Sequence, residues 1–295
     1  MSKKFEKTMT TDGFISTHPL PTSAELKQFY TETYYQAPQA TTYQESYDAL
    51  ELDYKHLKCK AIIHALKQSG RLHGNTFLDI GAGEGFLLNA AVQHDFEVTG
   101  LDFSAYGVAK FFPELTGKHI AGDIFGSLEA LIDQDKKFSV CTSTNVLEHV
   151  IDADLFLKLA KSVLAADGLL LITVPNDYSA IQQLALSENM IDREFWFVPP
   201  HHLHYFNTDN LIPFIESRGF KVLDAFSDFP VDLYLLHSGS NYVMDAAAGR
   251  EANRARMHHD LMIVREKGLD KYLDYYRSMF QVGLGRDITI IASQV

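Results

Sequence analysis

Cysteine is nearly missing from this chain: Cys59 and Cys141 are the only two among 295 residues, and they stand far apart. That excludes a disulfide framework and a cysteine-rich metal knot, and it fits a reducing, cytoplasmic setting. No run of about 18 apolar residues occurs, so no membrane span is expected. The stretch from Met1 to Thr11 is polar and lacks an apolar h-region, so no secretory signal is expected either. Basic residues are the minority, 26 against 38 acidic, for a net charge of −12. That balance disfavours nucleic acid and anionic membrane as partners. There is no low-complexity tract and no internal repeat. What is there is ordinary globular material, 46% hydrophobic, in a length that suits one large domain or two small ones.

The first 46 residues carry Pro19, Pro21 and Pro38 and read as a loop-rich N-terminal arm, with a short helix near 24–35. From 47 to 69, Leu50, Tyr54, Leu57, Ala61 and Leu66 recur at helical spacing. After Gly74 the rhythm turns to strand, helix, strand. Strands are expected at 77–80, 97–102, 119–123, 138–144, 169–174, 220–226 and 287–292, with helices at 85–94, 152–165 and 208–218. Alternation of this kind predicts a parallel sheet with right-handed crossovers. Residues 175–207 interrupt the rhythm with Trp196, Pro199, Pro200 and three histidines. Residues 231–286 form a helical insertion, a cap between the last two strands. Within 241–286 eight basic residues outnumber six acidic ones, so the cap is the least acidic part of the chain. The domain reading is therefore an arm over 1–46, a main domain over 47–230 and 287–295, and a cap over 231–286.

The sharpest local signal is Asp79-Ile80-Gly81-Ala82-Gly83-Glu84-Gly85-Phe86, placed between an apolar strand and a helix. Glycines there let the backbone turn tightly and approach a nucleotide-like ligand. Asp102 ends the next strand, seventeen residues after Gly85, where a carboxylate can accept from both ribose hydroxyls. A dinucleotide loop would want a third glycine where Phe86 stands. The spacing D-x-G-x-G-x-G instead resembles motif I of the class I S-adenosylmethionine-dependent methyltransferases. The resemblance continues through Gly122-Asp123-Ile124, through Asn145-Val146-Leu147-Glu148-His149-Val150, and through the apolar run to Pro175-Asn176. It then takes in His202-Leu203-His204-Tyr205-Phe206 and Arg218-Gly219-Phe220, in the manner of the ubiquinone-methyltransferase-like group.

The resemblance implies a Rossmann-like α/β fold with a seven-stranded, mostly parallel sheet of order 3-2-1-4-5-7-6, its last strand antiparallel; the inserted helical cap, read from its apolar spacing, departs from the minimal family pattern. It implies S-adenosylmethionine as cofactor, held by Asp79, Gly81, Ala82, Gly83, Gly85, Asp102, Phe103, Asp123, Ile124 and Asn145. Asp79 would serve the methionine amino end and Asp123 the adenine. The acceptor is expected to be a small molecule or glycan precursor, methylated at a hydroxyl. Histidine suits a general base near neutrality. His149, His202 and His201 are the catalytic candidates, with His149 and His202 expected on opposite sides of a pocket under a lid of 195–206 and the cap. No metal ligand set is expected, because H-H-x-H lacks a cysteine or acidic partner nearby in sequence. Arg250, Arg254 and Arg256 could receive phosphate or carboxylate, and the cap offers a surface for a homodimer. The competing readings are an NAD(P)-dependent oxidoreductase and a non-catalytic S-adenosylmethionine-binding protein.

Overall fold

A computed structural model describes residues 4–29 and 46–295. The chain opens with a hairpin, β1 (Glu6–Met9) and β2 (Ile15–His18), followed by α1 (Ser23–Phe29). The expected irregular arm is thus a hairpin over part of its length. Of the helix expected at 24–35, the portion past residue 29 lies outside the described residues. Next come α2 (Ala49–Gln68), β3 (Thr76–Ile80), α3 (Phe86–Val92), β4 (Glu97–Asp102), α4 (Tyr106–Phe111), β5 (His119–Ala121) and α5 (Ile124–Asp133). Then follow β6 (Phe138–Thr144), α6 (Ala153–Val163), β7 (Leu164–Pro175), α7 (Ala180–Ser187), β8 (His204–Tyr205), α8 (Leu211–Ser217), β9 (Phe220–Ser227), α9 (Ala246–Gln281) and β10 (Asp287–Gln294). Helix α7 lies inside the stretch that interrupts the rhythm, where no helix is expected. Its signal is a capping box, Ser179 with Gln182, that closes both ways.

The main sheet runs β5-β4-β3-β6-β7-β10-β9. Counted within the sheet this is the expected order 3-2-1-4-5-7-6. Strands β3 to β7 pair in parallel, and β10 lies antiparallel between β7 and β9. Residues Leu169 to Val174 of β7 are fully buried, as a strand covered on both faces requires. One face is packed by α5, α6 and α8 through Leu128, Phe156, Leu157 and Phe214; the other by α2, α3 and α9 through Leu57, Ala61, Leu88 and Leu273.

Helix α9 is interrupted at Gly268, whose φ of 81° breaks the helical path. Its second segment buries Tyr272, Leu273 and Tyr276 in the core shared with α2. This half of the expected cap is thereby part of the main body's packing. The N-terminal hairpin forms its own small sheet, with Ile15 opposite Tyr205 and Ser16 opposite His204. Phe14 packs edge-on against Phe214 and against Phe206 at 4.6 Å.

Candidate functional site

The C-terminal edge of the parallel strands collects the expected site residues, as it does in open α/β sheets generally. Gly81, Gly83 and Gly85 all take positive φ, 85°, 54° and 83°. The N–H groups of Gly81 and Ala82 both donate to the Leu101 carbonyl, tying the loop to β4. A Cβ built on Gly81 would sit 2.2 Å from Val146 Cγ2, so only glycine seats the loop against the turn after β6. On Gly83 a Cβ would meet nothing nearer than the Gly81 carbonyl at 4.0 Å, which leaves an open face for a ligand.

Asp102 closes the loop from β4. Its Oδ2 accepts from Gly83 N at 2.9 Å and its Oδ1 from Ser104 N at 3.0 Å. Burial raises its pKa, and these backbone donors oppose the shift. Asp79 lies deeper, 1% exposed, and accepts from Thr142 Oγ1 at 2.7 Å. Burial pushes its pKa up to about 7. Asp123 caps α5 by accepting from Gly126 N at 2.8 Å, beside Ile124. Phe103 follows Asp102 at the surface, 36% exposed. Asn145 has a left-handed φ of 56° and donates its N–H to Thr173 O. Sequence reasoning missed Glu84, Tyr47 and Lys55. Glu84, in the glycine loop, accepts from Tyr47 Oη at 2.6 Å and Lys55 Nζ at 2.7 Å. Only the odd acid among glycines hinted at it.

The histidine side is built by two turns. Glu148 O accepts from Leu203 N and His204 N, which locks the turn after β6 to the segment that follows the cis Pro199–Pro200 bond. His149 Nδ1 donates to the His201 carbonyl at 2.6 Å, and its Nε2 lies 3.6 Å from Glu148 Oε1. The rings of His149, His201 and His202 lie 4.7 to 4.9 Å apart. His149 and His202 therefore stand together rather than on opposite sides of a pocket. Burial lowers the pKa of His149 well below its usual value and takes His201 to about 4. Nitrogens of all three lie within 4.8 Å of one another, a spacing from which neutral imidazoles can ligate a divalent ion.

Two buried carboxyls flank the histidines. Glu148 is 1% exposed, neither of its oxygens has a hydrogen-bond partner, and burial drives its pKa well upward. Asp177 Oδ2 lies 3.8 Å from His202 Nδ1, while its Oδ1 accepts from Arg286 Nη1 at 2.7 Å. Burial pushes Asp177 up, but Arg286 and His202 outweigh it and hold the acid low. Trp196 is 1% exposed and packs with Ile191 and Leu235, so its ring is structural.

A family described as a methyltransferase domain matches residues 52–225, more than half of the chain. The chain belongs to that family. It is a class I S-adenosylmethionine-dependent methyltransferase, with S-adenosylmethionine as its cofactor. A curated relative, the ubiquinone biosynthesis O-methyltransferase of Bradyrhizobium diazoefficiens, is 26% identical over 179 residues, 58% of this chain and 70% of that protein. The protein of the same name from Brucella ovis is 32% identical over 111 residues, 36% of this chain and 43% of that one. The chain thus spans less than half the length of this second relative. Among solved structures, an S-adenosylmethionine-dependent methyltransferase from Archaeoglobus fulgidus superposes with a TM-score of 0.49 at 18% identity, covering 84% of this chain and all of that one. Among the described residues of this methyltransferase, no helix is long and apolar enough to cross a membrane.

Proposed function

We propose that this methyltransferase acts on a hydroxyl of a small molecule or glycan precursor, with the cofactor over the glycine loop and the acceptor at the histidines. The observation that carries the reading is the joint seat formed by the Gly81–Gly85 loop, Asp102 and the His149–His201–His202 cluster on one sheet edge. When bound, S-adenosylmethionine supplies a sulfonium-activated methyl group. The residues fit it: the open face at Gly83 admits the cofactor's bulk, and Asp102, already aimed by two backbone donors, keeps lone pairs for ribose hydroxyls. Asp79 and the 81–85 loop face the methionine end in this reading, with Phe103, Asp123, Ile124 and Asn145 around the adenosine.

His202 is the base in this reading. Asp177 stands beside its Nδ1, so a proton taken from the acceptor hydroxyl gives an imidazolium next to a carboxylate. His149 and His201, held neutral by burial, orient the acceptor by hydrogen bonds. The curated relatives are named as O-methyltransferases, which agrees with oxygen as the accepting atom.

Calorimetry tests the cofactor seat. S-adenosylmethionine should bind the parental protein, NAD should not, and Asp102→Ala should weaken S-adenosylmethionine roughly 10- to 100-fold, the loss of about 1.5–3 kcal/mol of charge-assisted contact. Full affinity in the variant would remove Asp102 from the site.

A further inference from the structure

The outer strand of the N-terminal hairpin, β1, is exposed throughout, yet Ser16 and Thr17 of β2 are buried, Thr17 to 2% exposure. Buried hydroxyls are kept where they find partners. Both of these find them in the histidine segment. Thr17 N donates to the Leu203 carbonyl at 2.8 Å, and Thr17 Oγ1 donates to the His202 carbonyl at 3.3 Å. Ser16 Oγ donates to the Leu203 carbonyl at 3.2 Å and lies 3.1 Å from His204 Nδ1.

Tyr205 of β8 holds the same segment. It is 1% exposed, and its hydroxyl donates to the His202 carbonyl at 2.8 Å while accepting from Val198 N at 3.2 Å. The hydroxyl therefore spans the turn from 198 to 202, in which His201 N and His202 N both donate to the Val198 carbonyl. Both lone pairs of the His202 carbonyl are thus taken by hydroxyls, one from β2 and one from β8. The side chain is held less. His202 Nδ1 makes no hydrogen bond and stands 3.8 Å from Asp177 Oδ2, beyond hydrogen-bond length. Its ring stacks on His201, which hangs on the same turn. Where the imidazole stands is therefore set through the main chain.

An error of about 1 Å in placing a reacting group can cost about 10²-fold in rate. We propose that Tyr205 and Thr17 are positioning residues of the methyl transfer: by fixing the His202 carbonyl they fix where the His202 imidazole stands relative to Asp177 and to the acceptor. The proposal rests on the reading given above in which His202 is the base. It gives the N-terminal hairpin a share in the reaction, although the family match begins only at residue 52. The hydrogen bonds of both residues stay on the histidine half of the edge, so cofactor affinity does not depend on them.

The test reads His202 directly and needs no substrate. In the full chain carrying isotope-labelled histidine, NMR resolves the imidazole signals, and His202→Gln identifies the one that belongs to His202. Tyr205→Phe and Thr17→Val each remove one hydroxyl and keep the side chain's shape. Both should shift the His202 signal and leave that of His64, on α2, in place. Thr17→Ser keeps the hydroxyl and should return the His202 signal to its parental position. Calorimetry with S-adenosylmethionine should give parental affinity in all three variants. A His202 signal at its parental position in both Tyr205→Phe and Thr17→Val overturns the proposal, even if the two variants melt at lower temperature, because the hydroxyls would then serve stability alone. Loss of S-adenosylmethionine affinity in a folded variant also overturns it, because the residues would then support the whole edge. If Tyr205→Phe fails to fold, Thr17→Val and Thr17→Ser decide. The base reading fails separately, by parental turnover in His202→Ala, an outcome that leaves the signal shifts as they are.

Discussion

The two halves of the sheet edge are built on different terms. On the glycine-loop half, polar groups are mutually satisfied: Asp102 holds Gly83 and Ser104, Glu84 holds Tyr47 and Lys55, and Asp79 holds Thr142. On the histidine half, enclosed polar atoms that lack a hydrogen bond gather in one place: both oxygens of Glu148, Asp177 Oδ2 and His202 Nδ1. The first half is backbone geometry held by its own hydrogen bonds. The second stores unmet hydrogen-bonding capacity, which a polar acceptor would relieve. Buried polar groups are seldom left so at random, and they concentrate where chemistry needs them.

The largest expected effect breaks the second half alone. With a substrate in hand, His202→Ala should lower turnover about 10²–10⁴-fold while S-adenosylmethionine affinity stays near parental. His149→Ala should cost less, because an orienting contact is lost and not the base. If both variants turn over at the parental rate, the histidines are packing and the contrast between the halves has no catalytic meaning.

A change in the first half should instead appear as stability. Gly81→Ala places a Cβ against Val146 at a φ of 85°. Left-handed strain of about 1–2 kcal/mol adds to overpacking of about 1–3 kcal/mol. Denaturant titration should show that loss, together with weakened cofactor binding. A variant as stable as its parent would mean that the loop reseats freely and is not rigid.

The smallest effect sharpens the comparison through pH. Asp79 has a folded pKa raised to about 7 by burial, above its ordinary value near 4. Its contribution to stability is present below pH 4 and is lost as pH rises through 7. Asp79→Asn should therefore gain on the parental protein between pH 5 and 8. His201 has the opposite sign. Its pKa falls from 6.5 to about 4 by burial, so its contribution is present above 6.5 and is lost as pH falls toward 4. His201→Gln should gain on the parent over that acid range. Parallel stability curves for parent and variants would show that neither group is as enclosed as the structure has it.

The first half was legible in the sequence because its signals are local: an apolar strand, three glycines and an acid at the next strand end lie between Phe77 and Asp102. The second was legible only as residue types. His149 and His201 are 52 positions apart, and the turn that joins them hangs on a cis proline and on N–H groups donated to Glu148 O. None of these has a periodic signature. The N-terminal hairpin escaped for a related reason. All four residues of β1 are exposed, so no alternation marks it, and β8, the partner of β2, is two residues long and nearly 190 positions away. Arg256 was noticed among three arginines on one helix, but periodicity could not show that Arg254 pairs with Asp48 while Arg256 turns inward.

The placement of β10 bears on how the chain acquires its shape during synthesis. Among the described residues β9 has β10 as its only neighbour in the sheet, and β10 begins 60 residues after β9 ends. At about 5–20 residues per second, a ribosome needs roughly 3–12 s to supply those residues. Through that interval the outer edge of β7 is uncovered and β9 has nothing to pair with, while the five parallel strands and the glycine loop are already complete. Nascent chains arrested before β10 has left the ribosome should therefore be the ones that recruit chaperones, and chains carrying a C-terminal spacer that lets β10 emerge should release them.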